Sequence, residues 1–202
     1  FYARNFTQVT QWLQKLLPAD LMPRMLALEK GGFNTNPEGA GTVRRLTVTP
    51  DATQSHGLNI ASVLSPTGTG LAWVAVKPGA PIARSKPNDT DPRSTIVQIT
   101  NLGITVKDSP QSTLVFVTRL DNGAPVAGAS VSIVNIDNQR LWTGTTNADG
   151  IALSPALPMR KPDGSWGELA FLVTAEKDGD VAYVGSNWLE GLEPWEFNTN
   201  YS

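Results

Sequence analysis

The side chains able to do chemistry are few and dispersed. His56 is the only histidine, and it sits in the polar run Thr53-Gln54-Ser55-His56-Gly57. It could act as a general base or metal ligand, but no second histidine shares a metal with it. A Ser-His-Asp triad needs only proximity in space; the Gly-x-Ser-x-Gly elbow of many hydrolases is absent. The chain holds no cysteine, which excludes disulfides, thiolate metal sites and a cysteine nucleophile. Acidic residues cluster as Asp89 with Asp91 and Asp178 with Asp180, with Asp137, Asp149 and Asp163 standing singly. Calcium could use such pairs. However, Asn34-Thr35-Asn36-Pro37-Glu38-Gly39 begins like a calcium loop yet carries Arg45 at the closing Glu position, and Asp and Asn are also ordinary turn formers. Gly68-Thr69-Gly70 lacks the Lys-Ser/Thr of a phosphate loop. No catalytic, cofactor-binding or metal residue is therefore assigned.

Of the six tryptophans, Trp12 and Trp73 lie in apolar patterns and are expected in the core. Trp166, Trp188 and Trp195 lie in loop-like segments. They could stack on sugars or pack against a partner or a neighbouring domain. Those three are the candidate contact residues.

The elements that must position these groups read as mainly β. The chain has 202 residues, 40% hydrophobic and 17% charged, with net charge −2. That allows one large domain or two of roughly 100 residues. No basic face suggests nucleic acid, and no apolar run approaches the roughly 20 residues of a membrane span. The chain opens on Phe1 with no signal peptide, and we expect a fragment of a longer chain. Phe1 to Phe6 reads as a short strand. Phe6, Val9, Leu13, Leu16 and Leu17 recur at helical spacing, predicting a helix that Pro18 ends. A second helix is expected from Asp20 to about Leu28. Strands follow over Val43–Thr49, Gly57–Leu64 and Leu71–Val76, then a Pro-rich loop over Gly79–Arg93. Beyond it lie strands within Thr95–Val106, Thr113–Leu120, Ser130–Ile136, Arg140–Thr145 and Ile151–Leu153. Glu168–Lys177 and Val181–Ser186 form a hairpin around Asp178-Gly179-Asp180. Turns every 8 to 12 residues or so point to an antiparallel sandwich.

The run Thr100-Asn101-Leu102-Gly103-Ile104-Thr105-Val106-Lys107, then Gly123-Ala124-Pro125-Val126-Ala127-Gly128-Ala129-Ser130-Val131, then Thr146-Asn147-Ala148-Asp149-Gly150 resembles a macroglobulin domain of the bacterial alpha-2-macroglobulin family. Other sandwich modules, such as carboxypeptidase regulatory-like and invasin-like repeats, share the Pro-Val-x-Gly-Ala-x-Val unit. The Thr-Asn-Leu-Gly prefix favours the macroglobulins. The match spans about residues 97 to 186, and residues 1 to 96 resemble the preceding domain more weakly.

The resemblance implies two tandem antiparallel immunoglobulin-like β-sandwiches, the first with a helical insertion. It divides the chain into residues 1–96, residues 97–187 and a linker, 188–202. It implies a structural role without enzymatic activity in a periplasmic or envelope protease inhibitor serving host defence. The signal or lipid anchor would lie outside this stretch. The implied partners are other domains of the parent chain and the proteases it meets. The family's thioester motif, Cys-Gly-Glu-Gln, has no counterpart here. The competing expectations are a cell-surface module that binds glycans or a partner protein, and a hydrolase built on His56.

Overall fold

The computed structural model describes residues 1–31, 33–79, 91–159 and 169–187. They are mainly strand, and every named strand pair is antiparallel. The chain divides into two compact units: residues 1–101 with 178–182, and residues 102–177 with those from Tyr183 on.

In the first unit, β1 (Tyr2–Ala3) and β4 (Gln54–Ser55) form a two-stranded ribbon. Strands β2 (Gln8–Leu16), β3 (Thr42–Arg45), β5 (Gly70–Pro78) and β6 (Arg93–Ile99) form a sheet in the order β3-β2-β5-β6. Leu71, Ala72, Trp73, Val74 and Ala75 of β5 are all buried, so this central strand is covered on both faces. Helix α1 (Pro18–Lys30) buries Leu21, Met22 and Leu28, and its Arg24 guanidinium lies 3.5 Å from the centroid of the Trp73 ring. Each such apolar burial stabilises the fold by roughly 1.5–3 kcal/mol.

Two expectations need correction here. The residues from Phe6 to Leu17 do not form a helix; Gln8–Leu16 is strand β2. Val9 and Leu16 lie on opposite faces of that strand, and both are buried. A strand covered on both sides loses its period-two signature, and its apolar residues then fall at helix-like intervals. Pro18, expected to end a helix, instead opens one. It stands at the helix start, where its fixed φ suits the first turn and its missing N–H is no loss. The strand expected over Gly57–Leu64 is also absent, and a 3-10 turn occupies Ala61–Val63. The Asn59 side-chain oxygen accepts the Ala61 N–H at 3.0 Å, a local bond that competes with strand formation.

The second unit holds β7 (Leu102–Asp108), β8 (Ser112–Arg119), β9 (Ser130–Asn135), β10 (Arg140–Thr145), β11 (Ile151–Pro155), β12 (Phe171–Lys177) and the second half of β13 (Asp180–Gly185), whose residues 180–182 group with the first unit. They make two sheets, β10-β9-β12-β13 and β11-β8-β7. Thr113, Val115 and Val117 alternate inward along β8, and Val131 and Ile133 do so on β9, all buried, as one-face burial requires. The expected strand signal over Thr95–Val106 divides into β6 and β7. The units part after Asn101, and β6 pairs with β5 along its whole length, from Arg93 to Ile99.

Candidate functional site

The sequence motif of the second half becomes a hydrogen-bonded clasp. The Thr146 hydroxyl donates to the Val126 carbonyl at 2.6 Å and accepts the Ala129 N–H at 2.8 Å. The Thr146 N–H bonds the Ala129 carbonyl at 3.0 Å, and the Gly128 N–H bonds the Thr146 carbonyl at 2.9 Å. The turn that follows is organised by Asn147, whose side-chain oxygen accepts the N–H groups of Asp149 and Ile151 at 3.0 and 2.9 Å. It closes on Gly150, at φ 73°. A Cβ there would stand 2.5 Å from the Val117 carbonyl oxygen and 3.0 Å from the Pro125 side chain. Gly150 thus meets both demands that favour glycine, a left-handed backbone and close packing. Thr146 and Ala129 are buried, so the clasp spends its polar groups on itself.

Among the described residues, those singled out for catalysis or metals are not brought together. His56 stacks its ring on Phe1, centroids 5.3 Å apart, while the two main chains exchange hydrogen bonds of 2.9 and 2.8 Å. Among the described residues no group of three His, Asp or Glu could hold a metal, and no helix is long and apolar enough to cross a membrane. Asp137, Asp149 and Asp178 occupy turns. Asp89, Asp163 and the candidate contact residues Trp166, Trp188 and Trp195 lie outside the described residues. Trp73 is in the core, as expected; Trp12 is half-buried, its Nε1 donating to the Gly39 carbonyl at 2.9 Å.

Among the described residues, two concave surfaces stand out. In the second unit, a groove of about 610 Å³ runs between β7 and β13, each the end strand of its sheet, and is lined by Ile104, Val106, Met159, Phe171 and Val184. Its carboxylate, Asp108, accepts the Thr113 hydroxyl at 2.9 Å. Elsewhere on β13, burial pushes the Tyr183 phenol above its ordinary pKa. In the first unit, a more polar pocket of about 620 Å³ is lined by Gln11, Trp12, Gln14, Glu38, Ser62 and Trp73 among others. Trp73 Nε1 and Gln11 Oε1 are buried without hydrogen-bond partners. Sequence reasoning missed this pocket, because it depends on β2 being a strand.

With this geometry in hand, comparison with known proteins is decisive for the family. The profile of the bacterial alpha-2-macroglobulin MG3 domain matches residues 99–202. The chain belongs to the bacterial alpha-2-macroglobulin family. Its clasp lies wholly within the matched span. The fold agrees with a crystal structure of native alpha-2-macroglobulin from Escherichia coli spanning domains NIE-MG1. That match has a TM-score of 0.65 at 16% identity and covers 91% of this chain and 86% of that one. A second crystal structure from the same organism, spanning MG0-NIE-MG1, is similar with a TM-score of 0.58 at 16% identity over 91% of this chain and 56% of that one. No curated protein matches the chain. In this family member the polar motif residues Thr146 and Asn147 bond the main chain of the module.

Proposed function

We propose that the chain is a structural, non-enzymatic stretch of a protease-trapping inhibitor, holding other domains of its parent chain in place. The observation that carries this reading is the family match over residues 99–202, joined to a clasp whose hydroxyl and amide groups are all consumed internally. In this reading two modules, residues 1–96 and 97–187, lead through 188–202 to the next domain. Trp166, Trp188 and Trp195 supply contacts to neighbours. The parent works in the periplasm or cell envelope, with any anchor outside this stretch, and its targets are proteases.

The test is inhibition. Added in equimolar amount, the chain alone leaves digestion of a protein substrate by a broad-specificity protease unchanged. The parent slows digestion of that large substrate but spares a small chromogenic peptide. Inhibition by the chain alone would overturn the scaffold role, and so would hydrolysis of an ester or peptide by the chain that disappears in His56→Ala.

A further inference from the structure

The edge of β2 is left unfinished. In an antiparallel sheet each residue turns its N–H and C=O together to one side, and successive residues alternate sides. The Gln8 carbonyl accepts the Gly79 N–H at 3.0 Å, on the β5 side. The Thr7 carbonyl accepts the Leu46 N–H at 2.8 Å, on the β3 side. Even-numbered residues of β2 therefore bond toward β5, and odd-numbered ones toward β3. The register with β5 continues unbroken to Leu16, but β3 pairs only as far as Thr42, opposite Gln11. Leu13 and Lys15 point their main-chain groups to that side with no strand opposite them. Helix α1 leaves β2 at Pro18 and packs toward β6, at the far edge of the sheet. Gln14 and Lys15 are exposed.

Where β3 departs, the polar pocket opens against Gln11, Trp12, Leu13 and Gln14. Glu38 is the carboxylate of its lining, no Lys or Arg lines it, and Gln11 adds a carbonyl oxygen without a partner. The pocket thus offers hydrogen-bond acceptors, a negative charge and the unpartnered Trp73 Nε1 donor beside the Leu13 and Lys15 main-chain groups, which no strand pairs on that side.

We propose that the β2 edge at Leu13 and Lys15 receives an extended peptide segment as an added strand, with a basic side chain of that segment entering the pocket beside Glu38. Main-chain pairing supplies the affinity and the pocket supplies the selection. A second copy of this chain is a poorer occupant, because it would bring another Lys15 to the same short edge.

The experiment is a two-dimensional NMR titration of the whole chain with the capped pentapeptide Thr-Val-Lys-Val-Thr. Two controls carry N-methyl groups on alternate amides, one in each phase. Binding is expected to shift the Leu13 and Lys15 amides and slow their hydrogen exchange. One N-methylated phase weakens binding by about tenfold or more, because its N–H groups can no longer bond, and the other phase leaves it unchanged. Replacing the peptide lysine by norleucine, or making Glu38→Gln on its exposed loop, costs about two- to fivefold at low salt. Equal binding by both N-methylated phases overturns the proposal, as does no binding at millimolar peptide. Protection of Leu13 and Lys15 that rises with protein concentration, without peptide, would assign the edge to a second copy instead and equally overturn it.

Discussion

Thr146→Val tests the clasp most directly, because valine matches threonine in shape and deletes only the hydroxyl. That hydroxyl serves the Val126 carbonyl at 2.6 Å and the Ala129 N–H at 2.8 Å. Thr146 is 4% exposed and Ala129 fully buried, so water does not replace the lost partner. An unsatisfied buried donor costs about 1–3 kcal/mol, and a lost neutral hydrogen bond about 0.5–1.5 kcal/mol. The added methyl returns about 0.8 kcal/mol. The expected loss is about 0.7–3.7 kcal/mol, which speeds exchange through unfolding roughly 3- to 500-fold. With two units in one chain, a single melting temperature mixes their transitions. Native-state hydrogen exchange at the buried amides of Val117 and Ile133 reports the second unit alone. Thr146→Ser keeps the hydroxyl and should lose about 1 kcal/mol or less. If Thr146→Val exchanges within about threefold of the parent chain, the clasp does not hold the module as argued.

Gly150→Ala should destabilise the same unit by more than about 1 kcal/mol, since alanine resists positive φ and its Cβ would meet the Val117 carbonyl; exchange at Val117 measures it. Leu21→Ala, at a side chain 0% exposed in α1, should cost about 2–5 kcal/mol in urea unfolding of the first unit. Arg24→Ala removes the cation over the Trp73 ring and should cost about 0.5–2 kcal/mol, with a change in Trp73 emission. The Asn5 amide, and after it the Arg4 guanidinium, hold the Asp51 carboxyl below its ordinary 3.8. A carboxyl with a lowered folded pKa stabilises the fold above the unfolded value and loses that effect as pH falls through the folded one. Carbon-detected NMR titration should place the Asp51 midpoint below 3.8 and move it up toward that value in Asn5→Ala.

The second unit was far more legible in the sequence than the first. Its turns are marked by residues that few backbones other than turns demand: Asn122-Gly123, Asn138 and Asn147 with Gly150, where Gly123, Asn138 and Gly150 all have positive φ. Its strand β8 alternates buried and half-buried positions, the pattern that one-sided burial writes into a chain. In the first unit that pattern is missing because β5 is covered on both faces and β2 buries Val9 and Leu16 on opposite ones. The apolar spacing of β2 consequently imitates a helix, while the expected helix from Asp20 to about Leu28 falls within α1. The pocket by Gln11 and Glu38 could not be seen from a misread strand, and no local signal places Arg24 over Trp73.

By itself the sequence determined that this chain is mainly β, that it lacks cysteine chemistry, and that Pro, Gly and Asn mark the turns of a sandwich module in its second half. These are local properties, set by φ preferences, side-chain period and residue type. Only the tertiary structure decided that Thr146 and Gly150 lock onto Val126, Ala129 and Val117, that β2 is a strand burying Val9 and Leu16 on opposite faces, and that β3 stops short of Leu13 and Lys15. Each of those facts depends on which segments meet across long stretches of chain, and pairing between distant segments is not encoded in the periodicity of either one alone.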